Sequence, residues 1–175
     1  HSLNFTGNMT EFMGQLRSNP AYYFDTETAL LAHVRDLCKR ADAELPKLFK
    51  VLPRCPYGVR PVPAAQAPAA PAAYYYEPTS GCTRAGYYYV NTYDLPSRPS
   101  YVMESTTLHE TVPGHHLQIA LAQELEGVPD LRRFAGWTAY IEGWALYAES
   151  LGPTMGFYTD PYVRFGAYGD EILRA

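Results

Sequence analysis

Apolar residues recur at helical spacing over residues 26–44, where Leu30, Leu31, Val34, Leu37, Cys38 and Ala41 line one face and charged residues the other. A shorter helix is expected over 10–18, opened by Thr10 as a cap and closed before Asn19-Pro20. The pattern then breaks. Residues 46–71 carry prolines at 46, 53, 56, 61, 63, 68 and 71 with an Ala-rich patch, which reads as an extended connector. Val51, Leu52 and Val59 suggest that it lies against the body of the protein.

Period-two strand signals follow in the triplets Tyr74-Tyr75-Tyr76 and Tyr87-Tyr88-Tyr89. Pro78-Thr79-Ser80-Gly81 between them suits a hairpin-like pair, with 86–93 the better strand. Ser100 is a good cap for a helix running through Val102, Met103, Thr106, His109 and Glu110. Pro113-Gly114 disturbs it, and the helical pattern resumes through Leu117, Ile119, Ala120, Leu121 and Leu125 to Gly127. Pro129 suits the first turn of a helix over 129–151, which Gly152-Pro153 ends, and Asp160-Pro161 opens a last helix. The fold class expected is mainly α with a small sheet, α+β. Residues 1–71 form an N-terminal helical and Pro/Ala-rich part, and residues 72–175 a core with the chemistry-bearing motifs.

Composition narrows the functional classes. The 175 residues are 47% hydrophobic and 18% charged, enough for a packed core. A net charge of −4 without basic runs gives no footprint for nucleic acid. No stretch approaches the roughly 18 apolar residues that a membrane-crossing helix needs. Cys38, Cys55 and Cys82 are odd in number, far apart and outside any CxxC pattern, so free thiols are expected rather than a disulfide. His1 at the start and an apparently running helix at Ala175 suggest a piece of a longer protein. A targeting segment could then lie outside it, which leaves bacterial cytoplasm and periplasm both open.

The candidate chemistry is concentrated in His109-Glu110-Thr111-Val112-Pro113-Gly114-His115-His116 and, about a helix length later, Glu142-Gly143-Trp144. This uses three of the five histidines. A zinc hydrolase typically takes three protein ligands and leaves one position for water, with a nearby carboxylate to accept the proton of that water. His109 suits a ligand, Glu110 the base, and Glu142 the ligand from a neighbouring helix. The spacing is irregular: HExxH would need a second histidine where Pro113 stands.

On an unbroken helix His115 would lie about 9 Å along the axis and roughly 240° round, and His116 about 10.5 Å along on nearly the same face. A two-residue bulge at Pro113-Gly114 would instead put His115 in the one-turn position. Both histidines therefore stay candidates, His115 slightly ahead. The bland alternative is a surface His-Glu pair followed by a helix restart. Against it, Ile141, Trp144 and Leu146 suggest a largely buried helix, in which Glu142 needs a partner, either a metal or Arg132 or Arg133. Glu149, on the same helical face as Glu142, suits either orientation of a ligand histidine or an ion pair. Glu104 is either a similar support or plain helix surface.

The runs Gly86-Tyr87-Tyr88-Tyr89-Val90-Asn91-Thr92-Tyr93-Asp94, Arg98-Pro99, Met103-Glu104, His109-Glu110 with Pro113-Gly114-His115-His116-Leu117-Gln118, and Glu142 to Glu149 resemble domain-of-unknown-function family 885. Leu48-Phe49, Leu52-Pro53, Tyr57, Val59 and Arg60 extend the resemblance over nearly the whole chain. That family is grouped with gluzincin-type zinc metallopeptidases. The resemblance implies an incomplete gluzincin, thermolysin-like core in which His109, one of His115 and His116, and Glu142 bind Zn2+ while Glu110 acts as base. It also implies a strand beside the metal for pairing with a peptide substrate, placed at 86–93, with Tyr89 and Asn91 as contact candidates. Members are longer, and the Tyr that commonly stabilises the oxyanion in gluzincins has no evident position here. The rival readings are a zinc hydrolase of another amide or ester, a peptide-binding domain without catalysis, and histidines that serve only packing.

Overall fold

The computed structural model describes residues 5–174. Helix α1 (Met9–Ser18) is capped by Asn8, not Thr10: the Asn8 side chain accepts from the Glu11 amide at 3.0 Å and Glu11 accepts from the Asn8 amide at 2.9 Å. Helix α2 (Glu27–Leu48) starts as the pattern predicts, with the Thr26 hydroxyl accepting from the Ala29 amide at 3.1 Å. It continues through Pro46 to Leu48, because a proline in the last turn removes only one bond. Leu30, Val34, Leu37 and Ala41 are fully buried, as their spacing requires.

The proline tract contains a strand that its composition conceals. β1 (Tyr57–Pro61) pairs parallel with β3 (Gly86–Val90), and β2 (Ala73–Tyr76) pairs antiparallel with β3 on its other side. The sheet order is thus β1-β3-β2. The hairpin-like pairing of the Tyr triplets is as expected, although β3 stops at Val90 instead of 93. Pro61 is tolerated because β1 lies at the sheet edge. Val59 packs on the core as expected, whereas Val51 is 67% exposed and Leu52 is also exposed; Leu48 and Phe49 instead hold the start of the connector to the body.

The register also explains a correction. Pairing β1 with β3 brings Cys55, two residues before β1, beside the β2–β3 connection, and Cys55 and Cys82 form a disulfide. The expectation of free thiols holds only for buried Cys38.

Tyr88 points from β3 into the main core, between α2 and the helices that carry the chemistry. That core takes residues from both sides of position 71: Leu30, Leu37 and Leu45 of α2 meet Leu108, Leu117 and Phe157. Helix α3 (Met103–Glu110) follows a 3-10 turn at Ser100–Val102, and Ser100 makes no side-chain cap. Helix α4 (His115–Gln123) follows the Pro113-Gly114 interruption.

The single helix expected over 129–151 is two. α5 (Asp130–Phe134) and α6 (Thr138–Ser150) are separated where Ala135 and Trp137 turn extended, and Pro129 stands before the first turn instead of within it. Gly136, between them, is the weak point of the helical pattern. α7 (Pro161–Arg174) starts at Asp160-Pro161 as expected and packs on α3. No helix among the described residues is long and apolar enough to cross a membrane.

Candidate metal centre

The site is built by how the chain turns between α3 and α4. After Glu110 the backbone leaves the helix at Thr111, whose hydroxyl donates to the Thr107 carbonyl at 2.6 Å. Val112 and Pro113 are joined by a cis peptide bond. Gly114 then crosses directly over the end of α3, where a Cβ would collide with the carbonyl oxygens of Leu108 and His109. The close approach admits only glycine. The His116 amide closes the turn by donating to the Thr111 carbonyl at 2.9 Å, and the Trp144 indole of α6 donates to the Pro113 carbonyl at 2.8 Å.

This turn sets the His115 ring against that of His109, with centroids 4.6 Å apart and planes at 80°. Across from them α6 presents Glu142. His109 Nε2 lies 3.3 Å from Glu142 Oε2, and His115 Nε2 lies 3.7 Å from Glu142 Oε1. One donor atom from each of the three falls within 4.8 Å of the others. The two imidazoles are buried, while the Glu142 side chain is 51% exposed, so the cluster opens to solvent on the α6 side. Glu142 is thus not the buried carboxylate that the pattern of α6 suggested. Neither arginine pairs with it: Arg133 is spent on Asp130 and the Gln123 carbonyl, and Arg132 has no ion pair among the described residues.

His109 is oriented from behind. Its Nδ1 lies 2.6 Å from buried Glu149 Oε1, one of the two roles the sequence left open for that residue. A carboxylate there holds the Nδ1 proton and leaves the Nε2 lone pair facing His115 and Glu142. Tyr158 supports the same region: its hydroxyl donates to the Glu149 carbonyl at 3.0 Å and its amide to Glu104 Oε2 at 2.6 Å. Glu104 also faces Arg40 at 3.5 Å. It therefore reaches the cluster only through Tyr158 and then Glu149 among the contacts described. Nothing in the residues around Tyr158 announced this part.

The adjacent histidine is placed elsewhere. His116 is sequestered on the far side of α4, with the Tyr75 hydroxyl 2.7 Å from Nδ1 and the Cys55 carbonyl 3.0 Å from Nε2. With both nitrogens engaged in the structure, it does not join the three-residue cluster. His115 has the opposite status, since its buried Nδ1 has no hydrogen-bond partner. Burial first, then the neighbouring His109, pulls the His115 pKa down to about 4, against the opposing pull of Glu142. Burial likewise lowers His116 to about 4, against the Cys55 carbonyl.

Glu110 is buried next to His109, and its charge, after burial itself, raises the pKa of Tyr88. The other two candidates belong to the scaffold. The Asn91 amide is fully buried and donates to the carbonyls of Ala67, Ala70 and Pro71, tying the proline tract to the end of β3. Tyr89 stacks on Tyr74 with centroids 5.0 Å apart. β3 is the central strand and is paired on both sides, so it has no free edge for a peptide. β2, which packs on α3, is an edge strand.

The model of the bacterial proteins of unknown function DUF885 matches residues 1–175. The crystal structure of "the putative lipoprotein from Colwellia psychrerythraea" is similar over 97% of the chain, with a TM-score of 0.91 and 32% sequence identity. The chain spans 30% of the length of that protein. A search of curated proteins gives no match.

Proposed function

We propose a function for this member of DUF885, the family to which the chain belongs: it carries the metal centre of a zinc-dependent hydrolase that cleaves peptide bonds. The observation that carries the reading is the convergence of His109, His115 and Glu142 donor atoms within 4.8 Å. Two imidazoles and a carboxylate are a donor set found in catalytic zinc sites. Two further features fit a ligand role. Burial pulls the His115 pKa down, which favours the neutral imidazole a metal requires, and the opening beside Glu142 leaves room for a water. A ligand from each of α3, α4 and the following α6 supports a reading as a gluzincin-type site.

Zinc bound there would lower the pKa of a coordinated water and polarise a substrate carbonyl. The remaining work falls to the chain. Glu110 takes the proton from the attacking water and passes it to the leaving amine. Glu149 keeps His109 in the tautomer that presents Nε2. The free edge of β2 offers main-chain groups for an extended peptide, a task that paired β3 is unable to perform.

The donor set also suits non-haem iron, and buried Glu110 beside a ligand favours hydrolysis over oxygen chemistry. The test is elemental analysis together with peptide turnover. About one zinc per chain, lost in His109→Ala and Glu142→Ala and retained without turnover in Glu110→Gln, is expected. Iron in place of zinc, no metal after zinc is supplied, or unchanged turnover in Glu110→Gln would overturn the reading.

A further inference from the structure

The two helices that supply His115 and Glu142 also enclose, with α5, a cavity of about 640 Å³. Its walls are apolar and aromatic: Leu117 and Leu121 from α4, Ile141 and Trp144 from α6, and Trp137 and Tyr140 at its mouth. This volume is in the range of small-molecule and side-chain pockets. Ile141 precedes Glu142 in the chain, and Trp144 is the residue that holds the Pro113 turn, so pocket and candidate centre share one framework.

The charges around it are unequal. Arg132 and Arg133 from α5 stand against Glu77 from the other wall. The Arg133 guanidinium is occupied by Asp130 and the Gln123 carbonyl, which leaves Arg132 as the exposed cation without an ion-pair partner among the described residues.

We infer that this pocket binds a bulky apolar residue bearing a free carboxylate, the C-terminal residue of a peptide. The aromatic walls take the side chain and Arg132 takes the carboxylate. The identification of the occupant as a substrate end rests on the peptidase reading above. The binding site itself does not. Leu and Phe side chains fit by burying apolar area against Trp144 and Ile141, whereas an acidic side chain would meet Glu77.

Both tryptophans of the chain, Trp137 and Trp144, line this pocket, so tryptophan fluorescence reports on its occupancy. The experiment titrates the wild-type chain with N-acetyl-phenylalanine, N-acetyl-phenylalaninamide and N-acetyl-alanine. A saturable fluorescence change is expected with the first, about fivefold weaker with the amide and about tenfold or more weaker with the alanine compound. Arg132→Gln, at an exposed position, should bring the acid to the affinity of the amide. Tyr140→Ala, also exposed, should weaken both alike.

Acid and amide binding equally well, or no saturable change, overturns the inference. Peptide cleavage is followed in parallel. Hydrolysis without fluorescence saturation removes the pocket and leaves the hydrolase. Saturation without hydrolysis of any peptide removes the hydrolase and leaves the binding site.

Discussion

His115 and His116 are neighbours in sequence, both buried and both depressed in pKa, yet they belong to different regions of the molecule. His116 faces the sheet side, where Tyr75, the Cys55 carbonyl and the disulfide close a set of satisfied polar groups. His115 faces α3 and α6, where three donors converge, one nitrogen stays without a partner and the surface is open. Burial does not distinguish a ligand histidine from a structural one. The number of partners already present does.

The comparison depends on Gly114, which sends the two rings to opposite sides of α4. Gly114→Ala should therefore have the largest effect, since its Cβ would enter the backbone oxygens of Leu108 and His109 and no flexible side chain could yield. A loss of more than about 3 kcal/mol is expected, with metal binding lost as well. Denaturant titration and zinc stoichiometry measure the two. A variant as stable as wild type that still holds zinc would mean that the turn does not set the site.

The next effect belongs to the sheet side alone. Cys82→Ser removes the disulfide across 27 residues and should cost about 3 kcal/mol. The α3–α6 cluster has no atom in that link, so zinc affinity should be unchanged. Thermal unfolding with and without reductant gives the stability change, and competition with a chromophoric chelator gives the affinity.

The third prediction sets the two histidines against each other. His116→Ala strands the Tyr75 hydroxyl and the Cys55 carbonyl in the interior, so it should cost about 2–3 kcal/mol and leave zinc binding in place. His115→Ala removes a ring whose Nδ1 has no partner, so the metal-free protein should lose about 1 kcal/mol or less while zinc binding is abolished. Metal content and metal-free unfolding, measured on both variants, give a crossed pattern. If His116→Ala were the variant that lost zinc, the assignment of the two roles would be reversed.

Much of this contrast lay beyond the reach of local pattern. The helices were legible where one face is apolar over several turns, as in α2, because burial of Leu30, Val34 and Leu37 is a local periodic demand. The cluster of candidate ligands was legible for a chemical reason: imidazoles and carboxylates rarely gather in an apolar stretch without a partner. Choosing His115 over His116 depends on the backbone angles of Pro113 and Gly114, which residue types permit without fixing. The Cys55–Cys82 pairing and strand β1 depend on register with β3, a long-range relation that the proline tract hides. The break at Ala135–Trp137 divides one expected helix into two, and the partial exposure of Glu142 on α6 depends on tertiary packing that its apolar neighbours do not announce.

The smallest predicted change is also the most selective. Glu149 reaches the candidate centre through His109 Nδ1, at 2.6 Å, and is itself buried and held near Tyr158. Glu149→Gln keeps the size of the side chain and can still accept a hydrogen bond from the ring, so the fold should change little. What is lost is the carboxylate charge that keeps the proton on Nδ1 and strengthens the Nε2 donor. Zinc affinity should fall about 10- to 100-fold, equivalent to about 1.4–2.7 kcal/mol, with one zinc still bound at saturation. A purely structural ion pair would behave differently, costing stability while leaving the affinity for zinc unchanged. Chelator competition and denaturant unfolding of the metal-free variant separate the two, because on the sheet side of α4 stability alone responds, while at His109 the metal does.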